Sequence, residues 1–186
     1  MKKKDEVWKV NKSVYLFKEP WLTVRKEDVL LPNGNSIPSY YVLEYPNWIN
    51  VIAITKENEF VLIRQYRHAL QRSSYELCAG VCEAKDKNPL ATAKRELLEE
   101  IGYGKGRWKK YMEVSANPST HTNMTYSFLA LDVEKISEQK LEATEYLSVH
   151  LFKKEEVYSL LKGNKILQAL MAAPLWKYLY ETKNTL

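Results

Sequence analysis

Punctuation at both ends of residues 88–102 leaves that stretch little choice but to be a helix. Asn88 can cap an N-terminus, Pro89 suits the first helical position, and Gly102 can end the last turn in a left-handed conformation. Between them Leu90, Ala93, Leu97, Leu98 and Ile101 recur at helical spacing and predict a buried stripe. Glu96, Glu99 and Glu100 stand three and four residues apart, so three carboxylates crowd one edge of the helix. Arg95 and Glu99 form a further i,i+4 pair.

Crowded carboxylates repel one another, and a solvated acidic face is the ordinary reason for a bare E-x-x-E-E. The surroundings favour another reading. A strand candidate, a loop containing Gly80, the Asn88-Pro89 start, Arg95 to Glu100 and the Gly102 stop follow in order. Hard divalent cations relieve such crowding, and Mg²⁺ is commonly held by a few carboxylates together with substrate phosphates.

The rest of the chain reads mainly as strands. In residues 6–45, Val14 to Phe17, Trp21 to Val24 and Tyr40 to Leu43 are strand runs, with a turn at Pro32-Asn33-Gly34-Asn35. Too little of this stretch is apolar for a core of its own. It is expected to be an N-terminal arm, residues 1–45, packed on the main domain, 46–186, or on a second subunit. Val51 to Ile54 and Phe60 to Ile63 predict buried strands joined through Lys56 to Glu59, with Arg64 to Arg67 extending the second. Trp108 to Val114, Met124 to Val133 and Leu147 to Phe152 are further strands, and Ala116 to Asn123 is a loop by composition. Glu134 to Glu145 shows no usable periodicity. Glu155 to Leu161 predicts a short helix closed by Gly163, and Lys165 to Tyr180 a second one despite Pro174. Strands in succession with a few helices argue for an α/β (α+β) layered domain.

Composition mostly excludes. A net charge of +5, much of it in Met1-Lys2-Lys3-Lys4, suits a small anionic substrate and offers no basic face with interleaved aromatics for nucleic acid. No apolar run is long enough to span a bilayer and the charged start lacks a signal-peptide core, which predicts a cytoplasmic protein with no membrane partner. The two cysteines, Cys78 and Cys82, read as reduced thiols rather than a zinc site.

The run Arg95 to Tyr103, with Gly80 before it, resembles the Nudix box of the diphosphate hydrolases, R-E-U-x-E-E-x-G-U with U apolar. One position departs. Lys87 stands where the family has its first glutamate, and Asp86 is the nearest acidic substitute in a loop one residue longer. The approach to the box, Gln65-Tyr66-Arg67 and then Glu76-Leu77-Cys78-Ala79-Gly80, resembles the ADP-ribose and nucleoside-diphosphate-sugar pyrophosphatases, with Cys78 replacing a proline. The N-terminal run from Trp21 through Gly34 resembles that branch as well.

The resemblance implies an α/β/α sandwich around a mixed sheet, with an N-terminal β arm that makes a homodimer. It implies Mg²⁺, or Mn²⁺ in its place, held by Glu96 and Glu100, with Glu99 direct or through water and the Ala79 carbonyl completing the shell. Arg67 would face the substrate phosphates and Glu76 would orient a ligand or a bound water. Trp21 would stack on the base, although a core tryptophan is the commoner explanation of that residue. The general base is Glu145, Glu142 or Glu99. His121, in the Ala116 to Asn123 loop, could be an acid, but a satisfied loop histidine explains it as well. The implied reaction is Mg-dependent cleavage of ADP-ribose or a related nucleoside-diphosphate sugar into a nucleoside monophosphate and a sugar phosphate. The alternatives are a GDP-mannose or dinucleoside-polyphosphate hydrolase, and a nucleotide-sugar-binding domain without turnover.

Overall fold

The computed structural model describes residues 6–183. They form two compact units, the first from residues up to Pro46 together with Ser115–Asn123, the second from Asn47–Val114 and the chain beyond Met124. No local pattern marks Ser115–Asn123 as part of the N-terminal unit.

The first unit is an antiparallel meander of β1 (Lys9–Glu19), β2 (Leu22–Leu30) and β3 (Ser36–Glu44), in that spatial order. The short runs expected there are parts of longer strands, except that Trp21 stands in the turn before β2 rather than at its start. The β2–β3 turn closes through Gly34 N–H to the Leu31 carbonyl at 3.0 Å, with Gly34 at φ 86°. The β1–β2 turn is tighter and has no glycine, so Trp21 takes φ 66°. Every residue of β1 is exposed, including Val10, Val14, Leu16 and Phe17. His121 bridges to Leu43 and sets its ring against Tyr45, with centroids 5.1 Å apart.

The second unit is built on a mixed sheet. Its path is β11 (Leu147–Phe152), β5 (Phe60–Arg67), β4 (Trp48–Thr55), β10 (Thr125–Lys135) and β8 (Tyr103–Gly104). β6 (Arg72–Glu76) adds to β5, β7 (Cys78–Val81) to β4, and β9 (Arg107–Val114) to β10. β4 and β10 run parallel and the other pairs are antiparallel. Because successive strand side chains point to opposite faces, β4 feeds two cores. Ile49, Val51 and Ala53 pack with Ala93, Leu97 and Ile101 of α1 (Pro89–Ile101). Ile52 and Ile54 pack with Val157 and Leu161 of α2 (Lys154–Lys162) and with Leu175 and Leu179 of α3 (Ala169–Glu181). The result is the expected α/β/α sandwich.

Three expectations need correction. Leu98 is 38 % exposed and lies off the buried stripe of α1, whereas Glu100 is only 7 % exposed. Gly80 lies in strand β7 rather than in a loop, paired with Ile49. The last helix begins at Ala169, not Lys165, because the backbone before it bonds to β6 instead. The Lys165 carbonyl accepts from Tyr75 N–H at 3.1 Å, and Leu167 N–H donates to Ser74 Oγ at 3.3 Å. Pro174 stays inside α3 because Asn50, buried in β4, donates at 2.9 Å to the Leu170 carbonyl that a proline cannot serve.

β4 and β5 pair directly only at Ala53–Val61 and Ile54–Phe60. Beyond that point they splay, and β6 and β7 fill the gap by pairing with β5 and β4 in turn. The chain therefore changes partner at Leu77, between Glu76 and Cys78, and this switch lies beside α1.

Candidate active site

The helix is fixed locally. Asn88 accepts Ala91 N–H at 3.0 Å through its side chain, Pro89 begins the first turn, and Gly102 ends the last at φ 74°. Packing of Ala93, Leu97 and Ile101 against the sheet then sets its rotation, which turns Glu96 and Glu100 toward β7. Gly80 makes that approach possible, since a Cβ there would overlap the Glu96 carboxylate.

Glu96 and Glu100 are both pushed up to about 7. For Glu96 burial is the main cause, opposed by Arg95 and reinforced by the charges of Glu99 and Glu145. For Glu100 burial again leads, opposed by a hydrogen bond with the Cys78 thiol and by Ala79 N–H at 3.3 Å, and reinforced by Glu96 and Glu145. These carboxylates resist being charged together. Among the described residues no three acidic, thiol or imidazole groups converge on one point, because Glu96 and Glu99 both turn to Arg95 Nη1 at 3.0 Å. Their chemistry nevertheless fits a hard divalent cation. The donors are carboxylate oxygens, and their raised affinity for a proton is what a 2+ charge would replace.

Arg95 ties this edge to the loop before the helix. Its Nε and Nη2 donate to the two Asp86 oxygens at 3.2 and 3.0 Å. Asp86 also accepts from Thr92 Oγ1 at 2.9 Å and Glu83 N–H at 3.1 Å, and these donors, Arg95 first, hold it well below the carboxylate range. Lys87 is exposed and lies outside this network. Asp86, not the neighbouring Lys87, is the acidic partner of Arg95 in that loop.

Across the switch, Glu76 is 1 % exposed and holds Arg67 by both oxygens, with Arg67 Nε to Oε1 at 2.9 Å and Nη2 to Oε2. Gln65 Nε2 adds a contact to Oε2 at 3.3 Å. The buried carboxylate aims the guanidinium, whose side chain remains 41 % exposed and close enough to feel Glu100. Glu145 stands in the segment before β11, with its Oε2 accepting Glu142 N–H at 2.8 Å, and its charge reaches Glu96, Glu100 and Cys78. Glu142 is exposed.

Thus Glu96, Glu99, Glu100, Glu145, Ala79, Arg67 and Glu76 belong to one neighbourhood of the second unit. Trp21 lies in the first unit, at the β1–β2 turn, and is 78 % exposed rather than a core residue. Two contributors were not legible as such. Cys78 and Cys82 are free thiols, and Cys78, fully buried, bonds to Glu100. Gln139 donates to the Glu100 carbonyl at 2.7 Å from a stretch with no sequence pattern.

Comparison with known proteins places the chain among relatives. The Nucleoside diphosphate sugar hydrolase N-terminal domain model matches residues 8–43, and the NUDIX domain model matches 45–173. The ADP-ribose pyrophosphatase of Bacillus subtilis (strain 168) is 30% identical over 147 residues, 78% of each chain. The Methanol dehydrogenase activator of Bacillus methanolicus is 32% identical over 127 residues, 68% of each chain. The fold is shared with an ADP compounds hydrolase whose crystal structure superposes with a TM-score of 0.84 over 98% of both chains, at 19% identity.

Proposed function

The chain belongs to the Nudix family, and from that premise we propose that it hydrolyses the diphosphate of ADP-ribose or a related nucleoside-diphosphate sugar. The products are a nucleoside monophosphate and a sugar phosphate. The observation that carries this reading is the pair Glu96 and Glu100 on one edge of α1, set against Gly80 and the Ala79 N–H of β7 near the Arg67 that Glu76 holds. The name of the Bacillus subtilis relative supports the substrate class.

Glu96 and Glu100, with Glu99 and the Ala79 carbonyl, are the groups that would hold Mg²⁺, or Mn²⁺ in its place. When bound, the metal neutralises diphosphate oxygens and lowers the pKa of a coordinated water. Arg67, fixed by Glu76, offers the remaining guanidinium N–H groups to a phosphate. Glu145 takes the proton as water attacks phosphorus and the bridging P–O bond breaks. Its orientation by Glu142 N–H and its charge at Glu96 and Glu100 favour it over Glu142. Glu99, engaged by Arg95, remains the second choice. Trp21, fully presented at its turn, is the residue proposed to stack on the base.

The same reading extends to assembly and location. The unbroken exposure of β1, with Val14, Leu16 and Phe17 uncovered, supports a homodimer through the first unit. No helix among the described residues is long and apolar enough to cross a membrane. Two free cysteines suit the reducing cytoplasm.

The test is product analysis by chromatography after incubation with ADP-ribose, GDP-mannose and diadenosine polyphosphates, each with Mg²⁺ and with EDTA. AMP from ADP-ribose only in the presence of metal is the expected result. Turnover of another substrate alone moves the specificity, and no turnover of any leaves a binding domain.

A further inference from the structure

The last turn of a helix leaves carbonyls without intrahelical donors. In α1 one irregular segment supplies them. Lys140 N–H donates to the Glu99 carbonyl at 2.8 Å, and Ile136 and Ser137 N–H to the Gly102 carbonyl at 2.8 and 3.1 Å. Gln139 Nε2 donates to the Glu100 carbonyl at 2.7 Å, the one contact of the four made by a side chain. Gly102 allows the close approach, because a Cβ there would overlap the Ser137 carbonyl oxygen.

A few residues on, the same segment closes a reciprocal turn. Glu145 N–H donates to the Glu142 carbonyl at 3.0 Å, while Glu142 N–H donates to Glu145 Oε2 at 2.8 Å. One end of the segment is therefore stitched to the helix that carries Glu96 and Glu100, and the other presents Glu145 in a fixed orientation.

We propose that Gln139 is a positioning residue that acts through Glu145, by docking residues 136–145 on the C-terminal end of α1. This rests on the reading of Glu145 as the general base. The docking sets where the Glu145 carboxylate stands relative to the carboxylates of α1. The amide is suited to the task because it donates to a carbonyl at the negative end of the helix dipole without adding charge. An ionised glutamate of equal length could not donate and would meet the carbonyls with repulsion. A lysine could donate, with a charge the helix end favours.

The experiment is steady-state hydrolysis of ADP-ribose with Mg²⁺ by the wild type, Gln139→Ala, Gln139→Glu, Gln139→Lys, Glu145→Gln and the Gln139→Ala/Glu145→Gln double variant. Gln139→Ala is expected to lower kcat by about tenfold with KM within about twofold, Gln139→Glu to lower it further, and Gln139→Lys to retain most of it. In the Glu145→Gln background the alanine should change kcat no further, a non-additivity that mere loosening of the fold would not give. Should Gln139→Ala fail to fold, Gln139→Met keeps the length without the donor. Wild-type kcat in the donor-free variant, or losses that multiply in the double variant, would overturn the proposal while leaving Glu145 as base. Full turnover by Glu145→Gln, or none by the wild type, would overturn the reading beneath it and the proposal together.

Discussion

Asp86 and Glu100 stand at opposite ends of α1 and are held in opposite ways. Asp86, in the loop leading into α1, has four donors from three residues and is held well below the carboxylate range. Glu100, in the last turn, is buried with a thiol and one long backbone contact, faces two like charges, and is pushed up to about 7. The first carboxylate is satisfied by the protein and the second is not. A satisfied carboxylate organises structure, whereas a buried one that feels two like charges favours its neutral form, or a cation beside it.

Replacing each member should separate the two roles. If Glu100 is the direct ligand proposed above, Glu100→Gln is expected to cost at least about 100-fold in Mg²⁺-dependent turnover, since a direct ligand matters at least as much as its supports. Its melting temperature in EDTA should be unchanged or higher, because a group that resists ionisation has gone. A drop in stability with turnover intact would break the comparison. Gly80→Ala should cost about tenfold, read as a weakened Mg²⁺ activation constant, by displacing the Glu96 carboxylate it overlaps. Asp86→Asn should show the opposite pattern. Losing one charged partner of Arg95 should cost about 2 kcal/mol in denaturant unfolding, with a smaller change in turnover per folded molecule.

The smallest effect is one of pH on the metal-free protein. Glu96 and Glu100 are raised from 4.5 to about 7, so their neutral forms favour the folded state. That contribution is complete below pH 4.5 and is lost as the pH rises through about 7. The melting temperature in EDTA should therefore fall by a few degrees across that window, and added Mg²⁺ should restore it above pH 7. A flat profile would mean that the two groups are not unsatisfied at all.

Legibility followed the range of the interactions involved. Caps and proline fixed α1 from its own residues, and its ends are where Asn88 and Gly102 place them. Which residues it buries was less readable. Leu98 fits the apolar periodicity and is left exposed, and Glu100 breaks it and is buried, because the sheet chooses the face. Gly80 read as a loop residue because glycine favours turns. Its place in β7 follows from the splay of β4 from β5, which no local pattern records. Lys165 to Gln168 read as helix for the converse reason, since their bonds go to β6, some ninety residues earlier in the chain.

The sequence by itself determined the capped helix, the spacing of its three glutamates, the longer strands of the main sheet and the family those features point to. Each of these is carried by residues within a few positions of one another. Tertiary structure alone decided that Glu76 lies under Arg67, that Asp86 rather than Lys87 meets Arg95, and that the segment from Ile136 to Lys140 bonds to the end of α1. Those outcomes depend on which backbone groups remain unpaired when distant segments meet, and on how far burial raises the cost of a charge. Neither quantity exists until the chain has folded.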